Sequence, residues 1–162
     1  MPETDSDKRQ HLLKIVNKAH TGFLVTRSDS GMHGRPMATA QVEGDFAHLW
    51  FACKRTHAKI KEISADDRVM IGYTSHDGTE WASVNGSARV VDDRAKMREL
   101  WSPFWKTWLD GPDDPEMILI KVTPESAEYW DLGNKLVALV KFAVGTITGR
   151  DTTAGDHQRV QM

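Results

Sequence analysis

Between Trp81 and Val90 the side chains alternate without a break. Ala82, Val84, Gly86, Ala88 and Val90 take one side, and Trp81, Ser83, Asn85, Ser87 and Arg89 the other. A strict period of two is a strand with one apolar face and one mostly polar face. The flanking segments repeat the theme. Phe23–Thr26, Arg35–Val42, Phe46–Ala52, Arg68–Thr74, Met117–Thr123 and Ala127–Asp131 all read as short strands. Turn chemistry separates them: Ser28–Gly34 as a hairpin loop, Glu43-Gly44-Asp45 as a tight turn, and Asp77-Gly78 as a dipeptide that takes positive φ cheaply. In Arg68–Thr74, Val69, Ile71 and Tyr73 share one face.

Helical spacing marks the edges. Leu12, Ile15, Val16 and Ala19 share a face in Asp7–Ala19, and a helix over His57–Ser64 would bury Ile60 and Ile63. Asp92 or Asp93 caps a third helix, Arg94–Trp101, which would bury Met97, Leu100 and Trp101. Pro103 interrupts it, and Gly111–Pro115 is a rigid loop. Leu136, Val140, Ala143 and Ile147 predict a helix over Asn134–Ile147, with a strand as the competing reading because the segment is rich in β-branched residues. The polar tail from about Gly149 reads as loose. The sum is a single mainly β domain over residues 1–162, an antiparallel β-barrel with flanking helices.

Charge and cysteine content narrow the function. Lys plus Arg number 21 against 23 Asp plus Glu, a formal net charge of −2, which speaks against a nucleic-acid binder relying on overall positive charge. Charges through Met1–Lys18 break any signal-peptide core. The greasiest run, Leu136–Val144, contains Lys141 and is too short to cross a bilayer. No membrane association and a cytoplasmic location are expected. Cys53 is the one cysteine, which excludes intrachain disulfides and cysteine-based zinc sites. The histidines show no metal-ligand spacing, so no metal site is expected, and no Walker loop, GxGxxG or HExxH occurs. Cys53 and His48 read as ordinary packed residues.

Two constellations carry possible chemistry. Lys54-Arg55-Thr56-His57-Ala58-Lys59-Ile60-Lys61 lies between a strand and a helix start, where free N–H groups and the helix dipole suit a phosphate. Arg35 could add a cation. A solvated basic stretch explains the same spacing. The chain also has six tryptophans, five of them between Trp81 and Trp130. Trp101, Trp105 and Trp108, with Trp130 downstream, could form a stacking wall for a flat cofactor, or a core or dimer interface.

Several segments in order resemble one family: Gly34-Arg35-Pro36-Met37, Leu49-Trp50-Phe51, His57–Ile63, Val84–Asp92, Leu100-Trp101-Ser102-Pro103, Gly111–Pro115 and Ala127–Asp131. Over His11–Asp131 the chain resembles the general stress protein branch of the pyridoxamine 5′-phosphate oxidase-like flavin-binding split barrels. The resemblance implies a homodimer with two FMN sites, each built from both subunits. Arg35, Pro36, Met37 and Ala38 would run beside the isoalloxazine ring, with Trp50 and Phe51 on the following strand. Lys59 occupies the family's phosphate lysine, and Trp101, Trp105 or Trp130 would close the pocket from the partner subunit. His57 stands where the family has serine, Cys53 where threonine is common, and Trp108-Leu109 where Phe-Pro is frequent. Thr56 could supply the missing hydroxyl, and FAD or another flavin could replace FMN. The expected function is a flavin-dependent oxidoreductase linked to stress. Flavin storage without turnover, or a split barrel using haem or a deazaflavin, are the competing readings. No residue is identified as a general acid or base. Arg150 and Arg159 lie in a tail that does not match the arginine groups of pyridoxamine 5′-phosphate oxidase itself.

Overall fold

The computed structural model describes residues 3–133 and 156–162. The helix expected over Asn134–Ile147 falls outside them. Helix α1 (Asp5–Ala19) leads into strands β1 (Thr21–Ser28), β2 (Gly31–Glu43) and β3 (His48–Lys54), then helix α2 (Ala58–Ala65). Strands β4 (Arg68–Thr74) and β5 (Glu80–Val91) follow, then helix α3 (Arg94–Leu100), a 3-10 turn over Pro103–Thr107, β6 (Met117–Asp131) and β7 (Asp156–Gln161).

The strands join in the order β3-β2-β1-β4-β5-β6-β7, every pair antiparallel, and β3 also pairs with β6. That extra pairing closes six strands into a barrel and removes their open edges. One edge of β6 serves two neighbours. Its first part, Met117–Val122, faces β3, and its last part, Ser126–Asp131, faces β7.

Alternation fills the interior. Val69, Ile71 and Tyr73 of β4 and Ala82, Val84 and Ala88 of β5 point inward and are buried, together with Leu24, Phe51, Ile120 and Tyr129. Helix α1 starts in a capping box between Thr4 and Asp7 and buries Leu12, Ile15 and Val16 against the barrel. A polar clasp holds it there. His11 Nε2 lies 3.0 Å from Asp131 and 3.8 Å from Glu80, and the Lys18 ammonium lies 2.8 Å from Glu80. Three groups far apart in sequence thus meet with ligand atoms within 4.8 Å of one another, which the sequence spacing of the histidines could not show.

The structure extends or corrects several expectations. The Ser28–Gly34 loop is a two-residue turn, because the ladder runs out to Ser28 opposite Gly31. Met117–Thr123 and Ala127–Asp131 are one strand. Pro124, which looks like a breaker, sits where the β5–β6 register shifts beside Gly86 and needs no ladder N–H. Gly86 is required there, since a Cβ on it would lie 2.2 Å from the Thr123 carbonyl oxygen. The last part of the tail is strand β7 rather than loose chain, anchored by the fully buried Val160 and by Arg9 donating to the Gln161 carbonyl. Trp101 caps α3 half-buried instead of packing inside it. Among the described residues, no helix is long and apolar enough to cross a membrane.

Candidate functional site

Helix α2 does not bury the face that its apolar residues suggest. Its buried residues are Lys59, Glu62 and Ile63, while Ile60 is only half-buried. Placing two charged groups inward is unfavourable unless each is compensated. Glu62 is. Thr26 Oγ1 donates to it at 2.5 Å, His33 Nδ1 lies 2.8 Å away and Arg35 Nη2 donates at 2.8 Å, while Arg35 also donates to Thr26. Burial pushes the Glu62 carboxyl up, but these three hydrogen bonds and the Arg35 charge overcome it and hold it at about 2.

Lys59 is different. It is 7% exposed, and among the described residues its polar partner is the ring nitrogen Nδ1 of His57, at 2.9 Å. Burial lowers its pKa and Arg35 adds to this, while Cys53 and Glu62 act the other way. Burial also lowers His57, helped by the charges of Lys59 and Lys54. His57 is the N-cap of α2; its carbonyl accepts from the Ile60 N–H at 3.0 Å, but its side chain caps no N–H of the first turn. A buried ammonium, a histidine and a helix start without a side-chain cap therefore converge with no acid in contact among the described residues. That donor set suits a phosphate.

The three groups open into a cavity of about 200 Å³. Pro36, Met37 and Ala38 of β2 and Ala52 and Cys53 of β3 form one wall, and Trp105 and Trp108 the other. Burial pushes the Cys53 thiol up to about 11, partly offset by Lys59. A second cavity of about 550 Å³ shares Ala38, Trp105 and Trp108 and continues past Thr39 to His20. On the other side of Pro36 an apolar groove of about 640 Å³ runs over the outer face of β1, β4 and β5, past Phe23, Met70, Trp81 and Trp130. Pro36 lines both the groove and the smaller cavity.

Of the residues expected at a site, Pro36, Met37, Ala38, His57, Lys59 and Trp105 are thus brought together. Arg35 lies close behind Lys59 but spends its guanidinium on Glu62 and Thr26. Phe51 is in the barrel core. Trp50 is buried on the outer side, its indole N–H donating to Glu43 at 2.7 Å and Lys96 and Lys121 lying 5.0 and 5.6 Å from its ring centre. Thr56 is exposed in the turn before α2 and does not line the cavity. Trp101 packs edge-on against Trp105 at 5.8 Å, whereas Trp130 stacks on His157 beside the groove. Sequence reasoning offered Trp108 only as part of a possible stacking wall and left Cys53 out of the site. Trp108 carried a signal in its spacing from Trp105, and Cys53 in its place on the strand before Lys59.

An antiparallel split barrel with a basic, aromatic-walled cavity at the start of α2 defines a structural class. A profile of the pyridoxamine 5′-phosphate oxidase-like family matches residues 7–153, and the chain belongs to that family. It is 29% identical over 158 residues to Protein bli-3 of Neurospora crassa, covering 91% of this chain and 72% of that protein. It is 24% identical over 132 residues to General stress protein 26 of Bacillus subtilis, covering 80% of this chain and 92% of that one. The solved general stress FMN/FAD-binding protein of Xanthomonas citri superposes with a TM-score of 0.65 at 27% identity, over 76% of this chain and 89% of that one.

Proposed function

We propose that this chain binds FMN in the cavity at the start of α2 and works as a homodimeric, flavin-dependent oxidoreductase of the general stress type. The observation that carries the reading is Lys59, a buried cation with no acid in contact among the described residues, facing a cavity walled by Pro36, Ala38 and Trp105. Lys59 and the α2 N–H groups would hold the phosphate, with Trp105 and Trp108 beside the aromatic part. The FMN/FAD-binding relative from Xanthomonas citri supports a flavin as the ligand. When bound, the flavin supplies the redox chemistry, and the chain's own residues bind it and keep water from it.

The adjoining groove supports the dimer. Phe23 is 52% exposed there and Trp81 and Trp130 36% each, an apolar surface that a second copy would cover. Because Pro36 borders both groove and cavity, a partner on that face would stand next to the bound ring.

Protein mixed with FMN should quench flavin fluorescence at micromolar concentration. Lys59→Ala should weaken FMN roughly 10- to 150-fold, the loss of a charge-assisted hydrogen bond of about 1.5–3 kcal/mol. Riboflavin, which lacks the phosphate, should bind both proteins alike. Equal losses for the two ligands would refute the phosphate assignment. Reduction of the bound flavin by NADH or NADPH separates an oxidoreductase from a storage protein.

A further inference from the structure

The flavin reading leaves unexplained why a histidine stands beside Lys59, a buried lysine with no acid in contact among the described residues. We propose that His57 is a specificity-determining residue: it takes up a proton from solvent as a phosphate monoester settles against Lys59, and so favours the mononucleotide over phosphate-free flavin. This rests on the flavin reading above.

The geometry supplies the argument. Lys59 Nζ lies 2.9 Å from His57 Nδ1. An ammonium only donates, so in this arrangement Nδ1 accepts and the ring is neutral, its remaining proton on Nε2. Both groups line the same cavity. The charges around the ring are all unhelpful to a second proton: Lys59 on α2, and Lys54 on β3. Cys53, also on β3, is held in its thiol form. β2 contributes only Pro36, Met37 and Ala38 at the cavity wall, and the segment after α3 only Trp105 and Trp108. Glu62, the acid whose charge acts on Lys59, is taken by Arg35, His33 and Thr26. Without a ligand the site therefore holds one proton fewer than its basic groups could carry. A dianion at its mouth reverses the balance, because it stabilises both an ammonium and an imidazolium. The proton comes from water or buffer, His57 Nδ1 turns from acceptor to donor, and Lys59 is freed to donate to the phosphate. A serine at this place could donate a hydrogen bond but add no charge.

Calorimetric titration of the full chain with FMN at pH 7.5, in buffers of different ionisation enthalpy and free of phosphate, counts the protons exchanged. Net uptake of up to one proton per FMN is expected. From pH 8 to pH 7, where the ligand stays mostly dianionic, affinity should tighten by roughly three- to tenfold, the linkage limit for one proton being tenfold per unit. His57→Ser should abolish the uptake and reduce the pH effect to less than about twofold, while riboflavin should show neither effect with either protein. The His57 Cε1–H resonance of the unaltered protein gives a second measure, with a titration point that should rise when FMN is bound. An equal proton count in the unaltered and His57→Ser proteins, or an unmoved resonance, overturns the proposal. Failure of FMN to bind the unaltered protein at all is a different result. It removes the flavin reading and this inference with it.

Discussion

Glu62 shows how one residue can hold several elements. It sits on α2 and ties Thr26 of β1 to His33 and Arg35 of β2. Its carboxyl titrates at about 2 instead of the ordinary 4.5, so the folded state releases its proton more readily than the unfolded chain. A depressed carboxylate contributes stability that is fully present above the unfolded value and is lost as pH falls toward the folded one. Acid unfolding should therefore steepen between about pH 4.5 and pH 2, and Glu62→Gln should flatten the curve in that interval. At neutral pH the same substitution should cost about 1–3 kcal/mol, read from denaturant unfolding, because it leaves the Arg35 guanidinium with a weaker partner. The site was half legible at this scale. Lys59 and His57 announce themselves because a helix start is local in sequence. The Glu62–Arg35 pair does not, since only the closed barrel brings α2 against β2. A rule that turns isoleucines inward also misplaces the buried face of α2, where Lys59 and Glu62 replace Ile60.

At the scale of elements, the bulge between β5 and β6 is the least forgiving point. Gly86→Ala would push a methyl group into the Thr123 carbonyl, which is backbone and cannot swing aside. Overpacking of this kind costs about 1–3 kcal/mol, so a clear drop in melting temperature is expected. Gly111→Ala meets no atom within 4 Å and should leave the melting temperature nearly unchanged. Most strands were readable, because Val69–Tyr73 and Ala82–Ala88 bury alternate residues as a period of two requires. The errors have physical causes. Pro124 looked like the end of a strand because its missing N–H matters only when a ladder partner waits for it. The tryptophans after Leu100 fall at helical intervals, yet Pro103 starts a separate 3-10 turn, so Trp101 and Trp105 meet edge-on rather than along one helix. β7 carries mostly polar residues and owes its strand conformation to β6, which no local pattern records.

For the whole molecule, the outer groove predicts the assembly. Light scattering should give twice the 18.2 kDa chain mass. Phe23→Glu, at the most exposed aromatic of the groove, should return the single-chain mass and weaken flavin binding together, since Pro36 belongs to both surfaces. Loss of the dimer with unchanged flavin affinity would separate the two sites. The shared edge of β6 has a consequence for how the chain gets into this shape. β1–β2, β4–β5 and β5–β6 join near neighbours and can form early. Sealing β3 onto Met117–Val122 must wait for distant segments to meet, and so must the docking of α1 on β7, where Arg9 finds Gln161 across 152 positions of sequence. Such non-local closure belongs to chains that fold in milliseconds to seconds. Contacts made after the rate-limiting step govern escape rather than arrival. Val160→Ala should accordingly leave the refolding arm of a chevron in place and raise the unfolding arm, making β7 the latch whose fit sets the lifetime of the folded state.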